Sequence, residues 1–401
     1  MRRLLVTVAS IAALVVPGVW SSPVALASVG DVTFTNKTTL DGLGNDRTYG
    51  VFAAGGTVYA ATSAGLSIST DGGASFTNKT TGSGLGDNQV NGVYVAGGTI
   101  YVATGGGLSI STDGGASFIN KTTTSGLADN YVYCVYASGD TIYAGTSSGL
   151  SISTDGGTSF TTKTAIANGL GDDYVYGVFA AGGVIYAATN AGLSISADGG
   201  TSFTNKTTIS GLGDNVVNGV FAGGGVIYAA TFAGLSISTD GAASFINKPV
   251  GSGFGNDSAY SVYASGATVY VGTASGLSIS TDSGTSFTNY TTTSGLGNDT
   301  VPGVYADDST IYAATAGGLG ISHSFAAVGS DVPVAPMQAY GRGADGKCDS
   351  NAPSWVNWSG VADKQYAAWV TSWQWWPNNG TGGYVCVRQP YYTTSNAWAV
   401  Q

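Results

Sequence analysis

The sequence contains no glutamate, since all 23 of its acidic residues are aspartate, and its single histidine is His323. The lack of glutamate excludes glycoside hydrolysis by a glutamate pair. A lone histidine also leaves the usual sets of acid, base and nucleophile incomplete. The sequence therefore predicts a protein that is not an enzyme and has no cofactor.

Charge is scarce as well. Only 9% of the 401 residues are charged, and the net charge is −10. A surface of this sign repels the phosphates of nucleic acids and anionic lipids. We expect no nucleic-acid partner and a monomeric chain.

An apolar run long enough for an export signal occurs only at the N-terminus. Residues 1–27 combine Arg2 and Arg3, the apolar stretch Leu4–Val16 and the small-residue pattern Ala25-Leu26-Ala27. This is the pattern of an export signal, although the stretch could instead be retained as a membrane anchor. We predict cleavage, no later transmembrane segment, and a secreted product, with attachment to the cell wall left open.

Self-similarity is the strongest signal that is present. The segment LSIS begins at Leu66, and successive copies follow after 42, 42, 43, 42 and 42 residues, with LGIS at Leu319 after another 42. Seven units of this length, each with four short strand patterns between glycine-rich turns, predict a seven-bladed, four-stranded β-propeller over residues 28–326. The fold class is all-β. Val32–Thr38 reads as a fourth strand without its first three, so we expect it to complete the last blade and close the ring.

The turn after the third strand repeats STDGGASF or a close variant in six units. It resembles the Asp-box, or BNR, repeat of sialidase-like propellers, while GLGDNQVNGVY with IYVATGGGLSIS resembles the propeller repeat of two-component regulators. Serine and aspartate side chains can bind the amides of their own turn, which indicates a structural role. The structural Asp-box residues are Asp71, Asp113, Asp155, Asp198, Asp240 and Asp282.

The sialidase resemblance implies an activity that the sequence does not support. Sialidases need three arginines, a tyrosine activated by glutamate, and an acidic aspartate. The propeller segment has one arginine, Arg47, and no glutamate. Sialidase-like hydrolysis is therefore the least favoured function.

An acidic or amide pair precedes the first strand of every unit. Seven such pairs could line a ring for cations or hydroxyl-rich ligands, or each could close an Asx turn. About one acid per blade does not supply the oxygens that calcium needs, so we predict turns and no metal. The pairs are Asn45-Asp46, Asp87-Asn88, Asp129-Asn130, Asp172-Asp173, Asp214-Asn215, Asn256-Asp257 and Asn298-Asp299.

The positions where the units differ are the best candidates for ligand binding. Two slots at the start of the first strand hold Tyr131 and Tyr133 in the third unit and Tyr174 and Tyr176 in the fourth, but Arg47 with Tyr49 in the first. Tyrosine rings with polar tips suit sugar faces, although packing between blades is the alternative. The predicted ligand-binding residues are Tyr131, Tyr133, Tyr174, Tyr176 and Arg47.

The three cysteines divide between two settings. Cys134 occupies a slot that is glycine or serine in the other units, which indicates a small filler. Cys348 and Cys386 fall in the tryptophan-rich residues 337–401, after a linker at 327–336, and we predict that their disulfide staples a small C-terminal domain. Seven tryptophans there suggest binding to glycan or cell wall.

These features predict a secreted or cell-surface binding propeller that recognises glycan or cell-envelope material. A structural or protein-interaction scaffold is the alternative, and an extracellular sensor module is a third hypothesis.

Overall fold

The computed structural model describes residues 32–307 and 310–323, and the backbone of 368–377 and 384–391. Residues 32–323 form seven four-stranded antiparallel sheets, and the innermost strand of each sheet contacts that of the next. The predicted all-β, seven-bladed propeller is confirmed.

Each blade runs from an innermost first strand to an outer fourth strand. The first strands are β2 (Thr48–Ala54), β6 (Val90–Ala96), β10 (Val132–Ser138), β14 (Val175–Ala181), β18 (Val217–Gly223), β22 (Ala259–Ser265) and β26 (Gly303–Ala306). The second strands are β3 (Thr57–Thr62), β7 (Thr99–Thr104), β11 (Thr141–Thr146), β15 (Val184–Thr189), β19 (Val226–Thr231), β23 (Thr268–Thr273) and β27 (Thr310–Thr315). The third strands are β4 (Gly65–Ser69), β8 (Gly107–Ser111), β12 (Gly149–Ser153), β16 (Gly192–Ser196), β20 (Gly234–Ser238), β24 (Gly276–Ser280) and β28 (Gly318–His323).

The fourth strands are short and lie at the rim. They are β5 (Thr77–Lys79), β9 (Ile119–Lys121), β13 (Thr161–Lys163), β17 (Thr204–Lys206), β21 (Ile246–Lys248), β25 (Thr288–Tyr290) and, in the seventh blade, β1 (Thr35–Lys37). A single helical turn follows each fourth strand. Six of these turns are 3-10 helices, at Thr39–Asp41, Thr81–Ser83, Thr123–Ser125, Thr208–Ser210, Val250–Ser252 and Thr292–Ser294, and the seventh is the α-helix α1 (Ala165–Asn168).

The N-terminal strand closes the ring as the sequence predicts. β1 pairs with β28 in antiparallel register, with Thr35 opposite Ile321 and Lys37 opposite Leu319. Thr48 of the first blade is hydrogen-bonded to the seventh blade, because its hydroxyl accepts a hydrogen bond from the Thr315 amide at 2.8 Å. The other six blades have valine or alanine in this slot.

The core lies between neighbouring blades. The LSIS leucines and the Asp-box phenylalanines pack against the strands of adjacent blades, and Leu66 and Leu108 are fully buried. Because both faces of a blade are apolar, a blade loses contacts on one side wherever the ring is open.

A pair of small residues sets the spacing of the first two strands in each blade. Five blades place glycine opposite alanine, whereas the third places Cys134 opposite Gly145 and the sixth places Ser261 opposite Gly272. A Cβ added to Gly145 would lie 2.5 Å from the sulfur of Cys134. The larger side chain on one strand therefore requires the glycine on the other. The five glycine–alanine pairs are Gly50–Ala61, Gly92–Ala103, Gly177–Ala188, Gly219–Ala230 and Gly303–Ala314.

Each of the six Asp-boxes is a closed set of hydrogen bonds. In the first, the Ser69 hydroxyl donates to Asp71 Oδ1 at 2.6 Å and accepts from the Gly73 amide at 2.8 Å. The amide and hydroxyl of Ser75 both donate to the Asp71 carboxylate, at 3.0 and 2.6 Å. The Asp71 carboxylate accepts hydrogen bonds from Ser69 and Ser75 of its own turn, as expected for a structural role.

These bonds predict a loss of stability in acid. Hydrogen bonds from the serine side chains of the box lower the pKa of Asp155, Asp240 and Asp282 to about 2. Unfolded aspartates have a pKa of about 3.9, so this contribution is present above about pH 4 and is lost as the pH falls through about 2. Carboxyl-carbon NMR should show a protonation midpoint for Asp155 near pH 2. A midpoint near 4 would contradict the bonding described here.

Several predicted features lie outside the described residues, namely the signal at 1–27, the linker at 327–336, Cys348 and most of 337–401. The described part of 337–401 is an antiparallel hairpin of β29 (Ala368–Pro377) and β30 (Tyr384–Tyr391). Cys386 lies on β30, and its pairing with Cys348 stays a prediction. Among the described residues, no helix has the length and apolarity to span a membrane.

Candidate ligand-binding face

The two ends of the propeller differ in chemistry. One end, here called the entry face, carries the loops from each fourth strand to the next first strand and the loops between second and third strands. The Asp-boxes lie at the opposite end. All predicted ligand-binding residues lie on the entry face.

The acidic and amide pairs on the entry face act in turns. In every blade the first member accepts from the amide two residues on, as Asp129 does from Tyr131 at 2.7 Å. The second member caps the preceding helical turn, as Asp173 does for the Ala165 amide at 2.7 Å. No cluster of metal-ligating residues occurs within the part of the chain that the structure describes.

A β-bulge aims the second variable slot toward the next blade. In the third blade the pairing register shifts between Val132 and Cys134, which leaves Tyr133 unpaired between them. The same shift occurs in the first strands of the other blades from the first to the sixth. Bulges of this kind redirect a side chain, and here Tyr133 reaches Tyr176 of the fourth blade.

The four predicted tyrosines form one continuous cluster, here called the tyrosine patch. Ring centroids are 4.9 Å apart for Tyr131 and Tyr133, 5.4 Å for Tyr133 and Tyr176, and 6.4 Å for Tyr174 and Tyr176. Tyr174 is 46% exposed, and the other three rings are half-buried. The patch therefore presents ring surface to solvent while its members support one another.

Polar groups border the tyrosine patch on the side of the second blade. The Gln89 amide donates to the Tyr131 hydroxyl at 2.6 Å, and Asn91 donates to the Val132 carbonyl at 2.8 Å. Burial raises the pKa of Tyr133, with smaller effects from the neighbouring tyrosines and Asp129. Burial also raises the pKa of Tyr176, with a smaller effect from Asp172. Both phenols are therefore neutral at physiological pH and can donate hydrogen bonds.

Arg47 is not part of the tyrosine patch. It lies in the first blade, where its guanidinium carbon is 5.3 Å from the centroid of the Tyr49 ring. The second blade lies between it and Tyr131. The structure thus divides the predicted binding residues into a cluster of four and one residue elsewhere on the face.

A ring of seven aromatic side chains, one from each first strand, surrounds the central channel. Neighbouring centroids lie between 4.6 Å, for Phe52 and Tyr305, and 5.3 Å, for Phe221 and Tyr263. Burial raises the pKa of Tyr94, with smaller contributions from Tyr136 and Tyr263. Because neighbouring rings are in contact all the way round, they narrow the channel below the entry face. The members of the ring are Phe52, Tyr94, Tyr136, Phe179, Phe221, Tyr263 and Tyr305.

This ring was missed at the sequence level, although a signal was present. The third residue after the variable tyrosine slot is aromatic in all seven units. An aromatic residue that recurs at every repeat indicates a shared packing role. The slots of the four patch tyrosines differ from this position, because they are not aromatic in every unit. Gln89 and Asn91 fill them in the second blade, although Tyr49 and Tyr260 keep the second slot aromatic in the first and sixth blades.

The one irregular interval between LSIS copies lies beside the tyrosine patch. The interval of 43 residues contains one extra residue in the loop into the fourth blade, where α1 replaces the shorter 3-10 turn. Asp172, Asp173 and Tyr174 follow α1 after three intervening residues. The blade that carries half of the patch is therefore also the one whose entry loop differs.

Comparisons with known proteins support the fold. No protein-family model matches the chain, and no curated protein is significantly similar in sequence. The extracellular domain of BT3049 from B. thetaiotaomicron, described as a hybrid two component system, has a TM-score of 0.63 at 18% identity over 92% of this chain and 50% of that chain. The extracellular domain of BT4673 from the same organism has a TM-score of 0.61 at 17% identity over 77% of this chain and 41% of that chain.

A third structure, YCF48 bound to D1 peptide, has a TM-score of 0.55 at 13% identity over 78% of this chain and 100% of that chain. At these identities the likeness shows the fold alone. This chain matches half or less of the length of the two B. thetaiotaomicron chains. The resemblance to Asp-box and two-component-regulator families stays a prediction.

Proposed function

We propose that this chain is a secreted or cell-surface binding propeller, not an enzyme, that recognises glycan through the tyrosine patch. The observation that carries the proposal is the contact chain Tyr131–Tyr133–Tyr176–Tyr174 across two blades, with its outermost ring exposed. The similarity of the fold to extracellular domains is consistent with this location.

The chemistry of the patch suits a sugar. Apolar C–H faces of a pyranose pack on aromatic rings, while the ring hydroxyls need hydrogen-bond partners at the edge. The phenols of Tyr133 and Tyr176 and the amide of Gln89 supply such partners. Because the tyrosine patch lies on the entry face, we place the ligand there, above the aromatic ring of the channel.

A protein partner is the second candidate, and one observation favours it. Apolar side chains stand exposed on the entry face, with Ile166 and Ile209 both 98% exposed and Phe232 45% exposed. These three side chains stand on entry-face loops of the fourth and fifth blades, and contiguous exposed apolar groups mark protein interaction surfaces. YCF48 is a propeller of similar fold that was solved with a peptide. A scaffold or sensor role would use this surface.

Exchanging residues between blades tests the tyrosine patch without disturbing the scaffold. Tyr131→Gln and Tyr133→Asn install the second-blade pair, and Tyr174→Val and Tyr176→Asn install the fifth-blade pair. Because other blades accept these side chains, the melting temperature should change little. We expect each exchange to weaken the binding of a glycan identified on an array by about 1 kcal/mol or more. Calorimetric titration measures this binding free energy.

The matched control is Tyr260→Asn, which makes the same change in the same slot of the sixth blade. It should leave the affinity unchanged. If the patch exchanges lower the melting temperature strongly and leave glycan binding intact, the four tyrosines are packing residues and the proposal is wrong.

A further inference from the structure

A chain of hydrogen bonds runs along the second-blade edge of the tyrosine patch. Asn91 Nδ2 donates to the Val132 carbonyl at 2.8 Å, and Asn91 Oδ1 accepts from Gln89 Nε2 at 3.0 Å. Gln89 Nε2 also donates to the Tyr131 hydroxyl at 2.6 Å. All three side chains are half-buried, so these bonds lie at the border between the protein and solvent.

The direction of these bonds is fixed by the main chain. A carbonyl oxygen can only accept, so the Asn91 nitrogen must face Val132 and the Asn91 oxygen must face Gln89. The atom that Gln89 turns toward Asn91 is therefore its nitrogen. Asn218 donates to the Ala259 carbonyl at 2.8 Å in the same way, but the first slot of that blade holds valine, which cannot continue the bonds.

This direction leaves one acceptor and one donor for a ligand. Both hydrogens of Gln89 Nε2 are bonded, so the amide can bind a ligand only through Gln89 Oε1. The Tyr131 oxygen accepts from Gln89, so its own proton points away from that amide and can be donated. Within residues 32–307 and 310–323, neither Gln89 Oε1 nor the Tyr131 proton takes part in a hydrogen bond.

From this fixed donor and acceptor, side by side at the edge of the tyrosine patch, we infer that the patch recognises sugars with two adjacent free hydroxyls. The inference rests on the proposed glycan function. A sugar hydroxyl both donates and accepts, so one of the pair donates to Gln89 Oε1 while the other accepts from Tyr131. In an N-acetylated sugar an amide replaces one hydroxyl, and its N–H and C=O point in opposite directions, so the match is lost.

Four β-1,4-linked hexamers test the inference. Cellohexaose, mannohexaose and xylohexaose carry adjacent hydroxyls on the second and third carbons of every unit, whereas hexa-N-acetylglucosamine carries an acetamide on the second carbon. We expect at least one of the first three to bind the full chain about tenfold more tightly than the acetylated hexamer, because two hydrogen bonds differ. Calorimetric titration measures the four affinities.

Two variants show whether the direction of the bonds matters. Tyr131→Phe keeps the ring and removes the proton, so the affinity for the tightest-binding of these hexaoses should fall about fivefold. Gln89→Glu replaces the donor by an acceptor, which takes the Tyr131 proton, and should lower the affinity by about the same factor. The double variant should therefore bind no more weakly than Gln89→Glu alone. Tyr260→Phe removes a hydroxyl from the sixth blade and should leave the affinity unchanged.

The outcomes separate the inference from the proposed function. A preference for a hexaose with adjacent hydroxyls, with non-additive losses in the two variants, supports the inference. The inference is overturned, and the glycan site is left standing, by an unchanged affinity of Tyr131→Phe, additive losses, equal affinity for the acetylated hexamer, or binding only of other arrayed glycans. If no arrayed glycan binds, the proposed function fails and the inference fails with it.

Discussion

Deletion of residues 32–38 is expected to destabilise the propeller more than any single substitution. The deletion removes β1, its pairing with β28, and the buried ring of Phe34, which packs against Tyr290. Loss of a buried phenylalanine alone costs about 3 to 5 kcal/mol. Because the deletion also exposes a strand edge, we expect the free energy of unfolding to fall by more than about 5 kcal/mol, measured by denaturant titration.

Two controls accompany this deletion. Removal of residues 392–401 should leave the unfolding of the propeller unchanged. A synthetic peptide of residues 28–38 should raise the melting temperature of the truncated chain, because an open sheet edge accepts an added strand. Equal stability of the truncated and complete chains would show that β1 does not hold the ring closed.

Gly145→Ala is expected to lower the free energy of unfolding by about 1 to 3 kcal/mol through overpacking. The added methyl group would lie 2.5 Å from the Cys134 sulfur and 2.6 Å from the Val175 carbonyl oxygen. Adding Cys134→Gly recreates the glycine–alanine pair of five other blades. We therefore expect the double variant to recover the part of the lost stability that comes from the contact with Cys134, while the contact with the Val175 carbonyl stays; denaturant titration of the four chains measures this.

The coupling between the two positions is the decisive quantity. Residues in contact give interaction energies of about 0.5 to 3 kcal/mol in a double-mutant cycle, whereas independent sites add. Ala61→Gly in the first blade is the matched control, since no cysteine faces it and Cys134→Gly should not rescue it. Additive effects of Gly145→Ala and Cys134→Gly would contradict the packing described for the third blade.

The fold could be predicted from the sequence because the same strand and turn residues recur every 42 or 43 positions. The spacing of LSIS sets the number of blades, and Val32–Thr38, a fourth strand without partners, identifies the closing strand. The Asp-box contacts follow from residues close in the chain. These features depend on local chemistry repeated seven times, so each copy confirms the others.

The binding face was predictable only in part. Comparison of the units located Tyr131, Tyr133, Tyr174 and Tyr176 on neighbouring blades, and the structure brings their rings into contact. The bulge that turns Tyr133 toward Tyr176 has no clear sequence signal, because the inserted residue differs from blade to blade. Arg47 shares a slot with the tyrosines, but its blade is not a neighbour of the third and fourth blades.

The aromatic ring in the channel was overlooked for the opposite reason. A position that is aromatic in every unit does not stand out among the slots where the units differ. The contact of Phe52 with both Tyr94 and Tyr305 depends on the closed ring, since Tyr305 lies 253 positions later in the chain. Pairwise contacts of this kind appear only when the seven blades meet around one axis.

A structure of the full chain with a bound oligosaccharide tests the glycan site most directly. The sugar identified by array screening should lie on the entry face, with a pyranose ring stacked on Tyr131 or Tyr174 and hydroxyls bonded at the edge of the tyrosine patch. Electron density for the sugar at the Asp-box end, or only on residues 337–401, would contradict the assignment of the tyrosine patch as the binding site.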